Sequence, residues 1–400
     1  MALLLITLLA LLASSSIILS YNGVYGVRSL TTMEEKEEDL ELERQLKYLN
    51  KPAVKSIKTE YGEIYDCVDF YKQSAFDNPL LKNHKPEMSS SIPRQTHNET
   101  SSEVDPLDYL RLDDGGCPSG TVPIRRTTKE DLIRWKSYSN SSENFHQFLD
   151  EGPGKHFAGY QLKNENLKYH GGSAYLSIHN PSVSPNQYSG AMIWAQGGQN
   201  HVQVGWHVNP KLYGDTKTHF FGHWTADGSQ KTGCFNSICS GFVQVNKDTP
   251  LGTVISQTST YGEDPYSVPV FLYQDKKSRN WWIALGEKST NIGYWPKELF
   301  NSIRESAPVV GWRGEVYTPQ GEQDPPMGSG HFLSEGGLPA YKKTAYFRAV
   351  RVNGDDDIAR GPNDASLETV TNGCFIAEDF PYINDFWRHT FFYGGPGGTC

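Results

Sequence analysis

Apolar and polar residues alternate with a period of two in several short runs after about residue 155. In the run 201–208 (HVQVGWHV), three valines and Trp206 fall on one face, while Gln203, Gly205 and two histidines fall on the other. In the run 311–317, Arg313, Glu315 and Tyr317 share one side. The pattern predicts strands with one packed face and one polar face.

A plausible hairpin and the general spacing of turns extend this interpretation. The runs Val268–Tyr273 and Trp281–Leu285 flank the charged turn Asp275–Asn280. Further short runs are separated by Gly, Pro, Asn and Asp, with no helical pattern between them. We therefore expect an all-β fold, an antiparallel two-sheet β-sandwich.

The first part of the chain has a different character. Residues Met33–Asn50 combine spaced leucines with dense charge and predict an exposed amphipathic helix. Residues 82–105 are polar and rich in Ser, Pro and Asn, as in a linker or poorly ordered loop. Thr127–Leu132 has the pattern of a capped helix start. These signals predict a small mixed α/β region before the sandwich.

The first twenty residues predict secretion. An uncharged run, Ala2–Leu12, precedes three serines and a short second apolar stretch, which is typical of a signal peptide. A signal anchor is the competing interpretation, but the serines interrupt the apolar run, so we expect cleavage. No later segment is long and apolar enough to span a membrane, and we expect no membrane association after the signal is removed.

Composition and charge narrow the class of protein. The 38 Gly, 22 Tyr, 18 Phe and 9 Trp among 400 residues favour strands and turns over helices. The formal net charge of -9, without a basic arm, argues against a nucleic-acid partner, which would require clustered Lys and Arg.

Six cysteines in a chain that enters an oxidising compartment predict three disulfides, and the sequence alone leaves fifteen pairings open. The cysteines are Cys67, Cys117, Cys234, Cys239, Cys374 and Cys400. Two sequons, at Asn98 and Asn140, are predicted glycosylation sites and agree with secretion.

Common catalytic and metal motifs are missing. There is no Gly-x-Ser-x-Gly elbow and no His-Glu-x-x-His. His219 and His223 are four apart, which on a strand does not bring both onto one metal. No metal or cofactor is predicted. Gln203 and Glu315 remain as polar residues on well-patterned strands, although any half-exposed strand shows such residues.

Ordered stretches of the sequence resemble the neprosin family, plant glutamic endopeptidases related to a prolyl protease of pitcher-plant fluid. One set resembles the activation region of the family and another its catalytic domain. The activation-region stretches are 66–76, 79–84 and 116–126. The catalytic-domain stretches are 205–208, 212–215, 232–236, 239–244, 281–282, 293–296 and 327–332.

The resemblance implies a precursor with a signal peptide (1–24), an activation propeptide (25–144) and a catalytic sandwich (145–400), activated by processing at acidic pH. We expect the cut within Ser137–Asn144. The resemblance also implies an active cleft across one concave face, and the bridges Cys67 to Cys117, Cys234 to Cys239 and Cys374 to Cys400.

The family is similar in using two glutamates. The second matches Glu315, although Arg313 stands where the family usually has glycine, and the first falls on Gln203. A glutamine does not exchange a proton at any working pH. Either Glu315 acts as general base while the Gln203 amide donates to the oxyanion, or the chain is an impaired relative that binds peptides or carbohydrate.

From these implications we expect a secreted, extracellular enzyme of the apoplast or a digestive fluid. Its expected partners are extended proline-containing peptides or proteins, cleaved after proline. We expect a monomer.

Overall fold

A computed structural model of the chain describes residues 36–91, 105–140, 154–335, 340–356, 358–362, 367–371 and 374–399. The chain up to Asn50 forms one unit, and the chain from Lys51 onward forms another. In the first unit, helix α1 covers residues 36–49, as the spaced leucines predict. The Glu41 carboxylate accepts hydrogen bonds from Arg44 and Gln45 along one of its turns. No helix in the described ranges has the length and apolarity needed to cross a membrane.

The second unit is built mainly from antiparallel strands. They are β1 (Ala53–Lys58), β2 (Ile64–Asp69), β3 (Thr121–Arg125), β4 (Lys155–Lys163), β5 (Gly171–Ser177), β6 (Tyr188–Gly197), β7 (Asn200–Val208), β8 (Thr218–Thr225), β9 (Cys234–Phe235), β10 (Val243–Gln244), β11 (Ser267–Gln274), β12 (Trp281–Leu285), β13 (Thr290–Trp295), β14 (Val309–Tyr317), β15 (Ala345–Asn353), β16 (Ala359–Arg360), β17 (Leu367–Thr371), β18 (Ile376–Phe380) and β19 (Thr390–Gly394).

Helices are short in this unit. The α-helices are α2 (Lys129–Asn140) and α3 (Pro210–Tyr213). The 3-10 turns are Phe70–Lys72, Ser74–Asp77, Pro79–Leu81, Pro106–Leu110, Asp113–Gly115, Lys297–Leu299, Leu333–Glu335 and Ala340–Lys342. The predicted cap of α2 is confirmed, because the Thr128 hydroxyl accepts from the Asp131 amide while the Asp131 carboxylate accepts from the Thr128 amide.

The strands form three sheets. The small sheet has the order β1-β2-β3. The front sheet has the order β17-β4-β14-β6-β7-β8-β9, and the back sheet has the order β10-β13-β12-β11-β5-β15-β19-β18, with β16 paired to β15. The predicted hairpin is confirmed, since β11 pairs with β12 through Tyr273 and Trp282.

The front and back sheets enclose the main core. Alternate residues of β7 and β14 point inward, among them Val204, Trp206 and Trp312. The Trp206 indole N–H donates across the sandwich to the Ser177 carbonyl, 2.9 Å away, so its polar atom is satisfied in the core. The predicted two-sheet antiparallel sandwich, including the core position of Trp206, is confirmed.

The small sheet covers the outer face of the back sheet. Val68, Phe70 and Val122 pack with outward-facing residues of the back sheet such as Phe271 and Trp282. Hydrogen bonds reinforce this apolar contact. The Gln73 side chain donates to the Gln244 carbonyl at 3.1 Å and accepts from the Gln244 amide at 2.8 Å.

Two of the three implied disulfides are present, Cys67 to Cys117 and Cys234 to Cys239. The third involves Cys400, which lies outside the described residues, as do Asn98 and the signal peptide. Asn140 is the last residue of α2, so residues 137–140 of the expected cleavage region are helical. Residues 141–144 lie outside the described part.

The segment after Leu81 is more closely packed than its polar composition suggests. His84 Nε2 lies 2.9 Å from the Tyr294 hydroxyl of β13, which also accepts from the Glu87 amide. His84 Nδ1 lies 3.2 Å from Glu298. These contacts hold the segment against the back sheet, unlike the linker or poorly ordered loop expected over residues 82–105. Residues 92–104 of that range lie outside the described part.

Candidate functional site

Glu315 lies on β14 with its side chain on the outer face of the front sheet, where the residue is only 1% exposed. Its neighbours on the strand, Gly314 and Val316, face the core. The register of the flanking strands places Phe157 of β4 and Gly190 of β6 directly opposite Glu315. Strand alternation and register thus set the position of this carboxylate.

Three side chains bind the Glu315 carboxylate. Lys155 Nζ lies 3.3 Å from Oε1, and Arg313 Nη2 lies 2.6 Å from Oε2. The Tyr188 hydroxyl donates to Oε1. Lys155 and Tyr188 come from opposite flanking strands, but both pair with Tyr317, one step along the same face. The strand register brings both of them to one carboxylate.

These contacts keep Glu315 ionised. Burial acts to raise the pKa of its carboxyl, but the charges of Lys155 and Arg313 and the Tyr188 hydrogen bond outweigh burial and lower the pKa to about 2. Burial lowers the pKa of Lys155, and Arg313 adds to this shift, while Glu315 opposes it. The face therefore holds a carboxylate that remains a proton acceptor in acid.

Arg313 is held between two aromatic rings. Its guanidinium carbon lies 4.2 Å from the centre of the Phe157 ring and 5.2 Å from that of Trp194. Trp194 lies close over Gly311, where an added Cβ would come within 2.7 Å of the indole. Gly311 therefore lets Trp194 lie against the sheet beside Arg313. Arg313 reaches Glu315 with one nitrogen, Nη2.

Gln203 lies on the same face but not beside Glu315. It pairs with Trp194, which in turn pairs with Gly311, so Gln203 is two strands and four positions away from Glu315. At normal strand spacing the two Cα atoms are roughly 16 Å apart. Met192 occupies the midpoint of this diagonal.

Buried histidines surround Gln203 on β7 and β8. Burial lowers the pKa of His223 to about 3, and it also lowers the pKa values of His201 and His207 well below the usual value. The negative charge of Glu315 acts to raise all three pKa values, but burial outweighs it. These imidazoles are therefore neutral while they stay covered.

His219 and His223 do not form a metal site together. His219 Nδ1 lies 2.8 Å from the Gly252 carbonyl, and its Nε2 lies 3.0 Å from Asp215. Its ring stacks on Tyr213 with centroids 3.7 Å apart. Over the described ranges, no three His, Cys, Asp or Glu side chains gather as ligands for an ion.

Helix α2 covers part of this outer face. Trp135 packs against an apolar cluster that contains Met192, Trp194 and Tyr213. The helix is tied to the small sheet, because Arg125 of β3 binds both Asp131, at 3.1 Å, and Glu63, at 2.9 Å. A tryptophan from outside the sandwich thus packs on the apolar part of the outer face, in a cavity that Leu212, Tyr213 and Ile238 also line.

Comparison with protein families matches both parts of the chain. Residues 185–396 match the model described as Neprosin, and residues 56–171 match the model described as Neprosin activation peptide. The first match alone spans more than half of the chain. The chain belongs to the neprosin family.

This neprosin-family protein is a peptidase-type hydrolase. The range that matches its activation peptide contains α2, β2, β3 and the second half of β1. The chain is also similar to solved structures of Scytalido-glutamic peptidase, one with a peptide-based transition state analogue, at 10% identity and a TM-score of 0.34. It is similar to SCP-B, of the Eqolisin family, in a complex with the tripeptide Ala-Ile-His, at 9% identity and a TM-score of 0.33. Each likeness covers 60% of this chain and 98% of the other.

Sequence reasoning placed Gln203 and Glu315 on the correct face of this neprosin-family protein but missed two partners of Glu315. Lys155 and Tyr188 occupy strand ends in the sequence, and neither is marked by a motif. Only the register of β4, β14 and β6 shows that both reach one carboxylate.

Proposed function

We propose that this protein is a secreted glutamic endopeptidase, made as a zymogen, that hydrolyses peptide bonds after proline at acidic pH. The observation that carries the proposal is the buried Glu315 carboxylate, held ionised on a sheet face that the activation peptide partly covers. A base of low pKa suits work in acid, because its proton-accepting form persists there. The leader and the family resemblance support secretion and the proline preference.

The geometry supports a division of work between Glu315 and Gln203. Glu315 accepts a proton from a water molecule, whose oxygen attacks the scissile carbonyl carbon, and then returns the proton to the leaving amine. The Gln203 amide N–H donates to the oxyanion. Both residues lie on one face with Met192 at the midpoint between them, so a scissile carbonyl bound over Met192 would have Glu315 on one side and Gln203 on the other. Removal of α2 with the activation peptide would uncover part of the outer face.

A second candidate is a catalytically impaired relative that binds extended peptides or carbohydrate. Two contacts favour it, since Lys155 and Arg313 both neutralise the carboxylate that would act as base. A carboxylate stabilised in this way is a weaker proton acceptor. Its fold and peptide cleft would remain, but turnover would be lost.

The test is turnover of a proline-containing fluorogenic peptide by the acid-treated protein between about pH 2.5 and 7, the range in which a perturbed glutamate titrates. Wild type is compared with Glu315→Gln and Gln203→Glu. Loss of a general base lowers kcat roughly 100- to 10,000-fold, which we expect for Glu315→Gln. Glu335→Gln, at an exposed glutamate, is the matched control.

The outcomes separate the two candidates. Cleavage by wild type and the Glu335 variant but not by Glu315→Gln supports the enzyme. Cleavage by Gln203→Glu alone shows that the natural protein is the binding relative. The thermal unfolding midpoint of each variant shows whether lost activity reflects lost folding.

A further inference from the structure

We propose that Arg313 and Trp194 form a subsite for a carboxylate group of the substrate, so that this enzyme prefers peptides with an acidic group near the cleaved bond. The inference rests on the proposed function, because it takes the outer face of the front sheet as the substrate cleft. The carboxylate is either an Asp or Glu side chain or the C-terminus of a short peptide.

Several buried polar atoms around Arg313 have no hydrogen-bond partner in the described part of the chain. They are Arg313 Nε, Trp194 Nε1, His201 Nδ1 and Gln203 Oε1. Leaving a buried donor unpaired is costly, so a bound group that accepts a hydrogen bond from it is stabilising. The two N–H groups of Arg313 and Trp194 belong to side chains in direct contact. Together they offer a pair of donors to one ligand.

Both donors are fixed before any ligand arrives. Arg313 is enclosed by Phe157 and Trp194 and anchored to Glu315 through Nη2, so its guanidinium is not free to swing to solvent. Trp194 is 3% exposed and is positioned by Gly311. A ligand that binds such prearranged donors loses little free energy in ordering them.

Lys155 and Arg313 carry two positive charges against the one negative charge of Glu315, so the site favours an anion over a neutral carbonyl. A guanidinium is charged at every relevant pH and offers further donors once one nitrogen is bound to Glu315. His201 and His223 are neutral while buried and provide no competing charge. Planar guanidinium and indole N–H donors match the geometry of a carboxylate.

The position of Arg313 defines where the acidic group lies. Arg313 is one step along the face from Glu315 and pairs with Met192, the midpoint between Glu315 and Gln203. A substrate whose scissile carbonyl lies at this midpoint therefore has residues close to the bond within reach of Arg313. We expect the preference at one of the first two positions on either side.

The experiment uses the acid-processed protein at about pH 5, where most substrate carboxylates are ionised. Proline-containing fluorogenic peptides carry a single Glu at each of the two positions before and after the cleaved bond, and each has a Gln counterpart. A second pair ends two residues after the proline as a free acid or an amide. The first set reports a side-chain carboxylate, and the second reports a chain end.

We expect at least one acidic peptide to have a kcat/KM roughly 10-fold or more above its neutral counterpart, as a charge-assisted hydrogen bond gives. In Arg313→Met the ratio should fall to about 2 or less. Arg313→Lys should keep part of the preference for the acidic peptide, and Trp194→Phe should reduce this preference. Arg279→Met, which removes an arginine from the β11–β12 turn of the back sheet, should leave it unchanged.

Equal rates for every acidic and neutral pair in wild type would overturn the proposal, as would a preference that survives in folded Arg313→Met. If Arg313→Met fails to fold, an unchanged ratio of kcat/KM between acidic and neutral peptides in Trp194→Phe would also overturn the proposal. Binding of non-cleavable ketomethylene analogues of the same pairs is measured in parallel. If the protein binds the acidic analogue preferentially but cleaves none of the peptides, the peptidase mechanism is refuted and the subsite is retained.

Discussion

The two faces of the front sheet are both largely covered but are made of different residues. On β14, Trp312 points into the core, and its neighbour Arg313 points outward to Glu315. On β7, Val204 points into the core and its neighbour Gln203 points outward, and both are at most 1% exposed. The inner face is closed by the back sheet, whereas part of the outer face is closed by the activation peptide. The face closed by the back sheet is apolar, and the face partly closed by the activation peptide carries charge and imidazoles.

Replacing the inner tryptophan should give the largest loss of stability. Trp312 is fully buried in the main core. We expect Trp312→Ala to lower the free energy of unfolding by about 3–5 kcal/mol, because it leaves a cavity. Denaturant unfolding measures this value. Tyr382→Ala, at a side chain that is 64% exposed, should stay within about 0.5 kcal/mol. A loss below about 1 kcal/mol for Trp312→Ala would contradict the assignment of Trp312 to the core face of the front sheet.

The outer face should make the zymogen sensitive to acid. The pKa of His223 is lowered by burial from 6.5 to about 3. The unfolded chain therefore takes up a proton at higher pH than the folded chain, and stability is lost as pH falls from about 6.5 to about 3. We expect His223→Gln to recover about 2–3 kcal/mol of the loss between about pH 7 and 4. Unfolding measured at both pH values checks this.

The control for His223 is His331→Gln, at a partly exposed histidine paired with Glu335. This variant should show the same fall in stability with acid as wild type. An unchanged pH dependence in His223→Gln would show that the acid response comes from other groups, such as the carboxylates.

The smallest expected effect concerns the working pH of Glu315. Lys155→Met removes one of the two charges that lower the pKa of this carboxyl. We expect the acid limb of kcat/KM to move up by about one pH unit, equivalent to about 1.4 kcal/mol. Lys163→Met, at an exposed lysine of the same strand, should leave the limb in place. An unmoved limb in Lys155→Met would mean that Glu315 does not set it.

Alternation along single strands was enough to predict the fold class and the faces of Gln203 and Glu315. It was not enough to predict distances across the sheet, because those depend on register. The pairing of both Lys155 and Tyr188 with Tyr317 is a property of three strands that are far apart in the sequence. The packing of His84 on Tyr294 was missed for the same reason, since a polar segment shows no period that marks a partner.

Each of the two disulfides in the described part of the chain joins two cysteines that lie on the same side of the expected cleavage region. Cys67 and Cys117 precede it, and Cys234 and Cys239 follow it. If the backbone is cut in that region, neither bridge would tether the two pieces, and they would form a noncovalent complex. The contact of Gln73 with Gln244 would then hold two separate molecules together. Dilution would promote their separation, and the released fragment could return from solution as an inhibitor in trans.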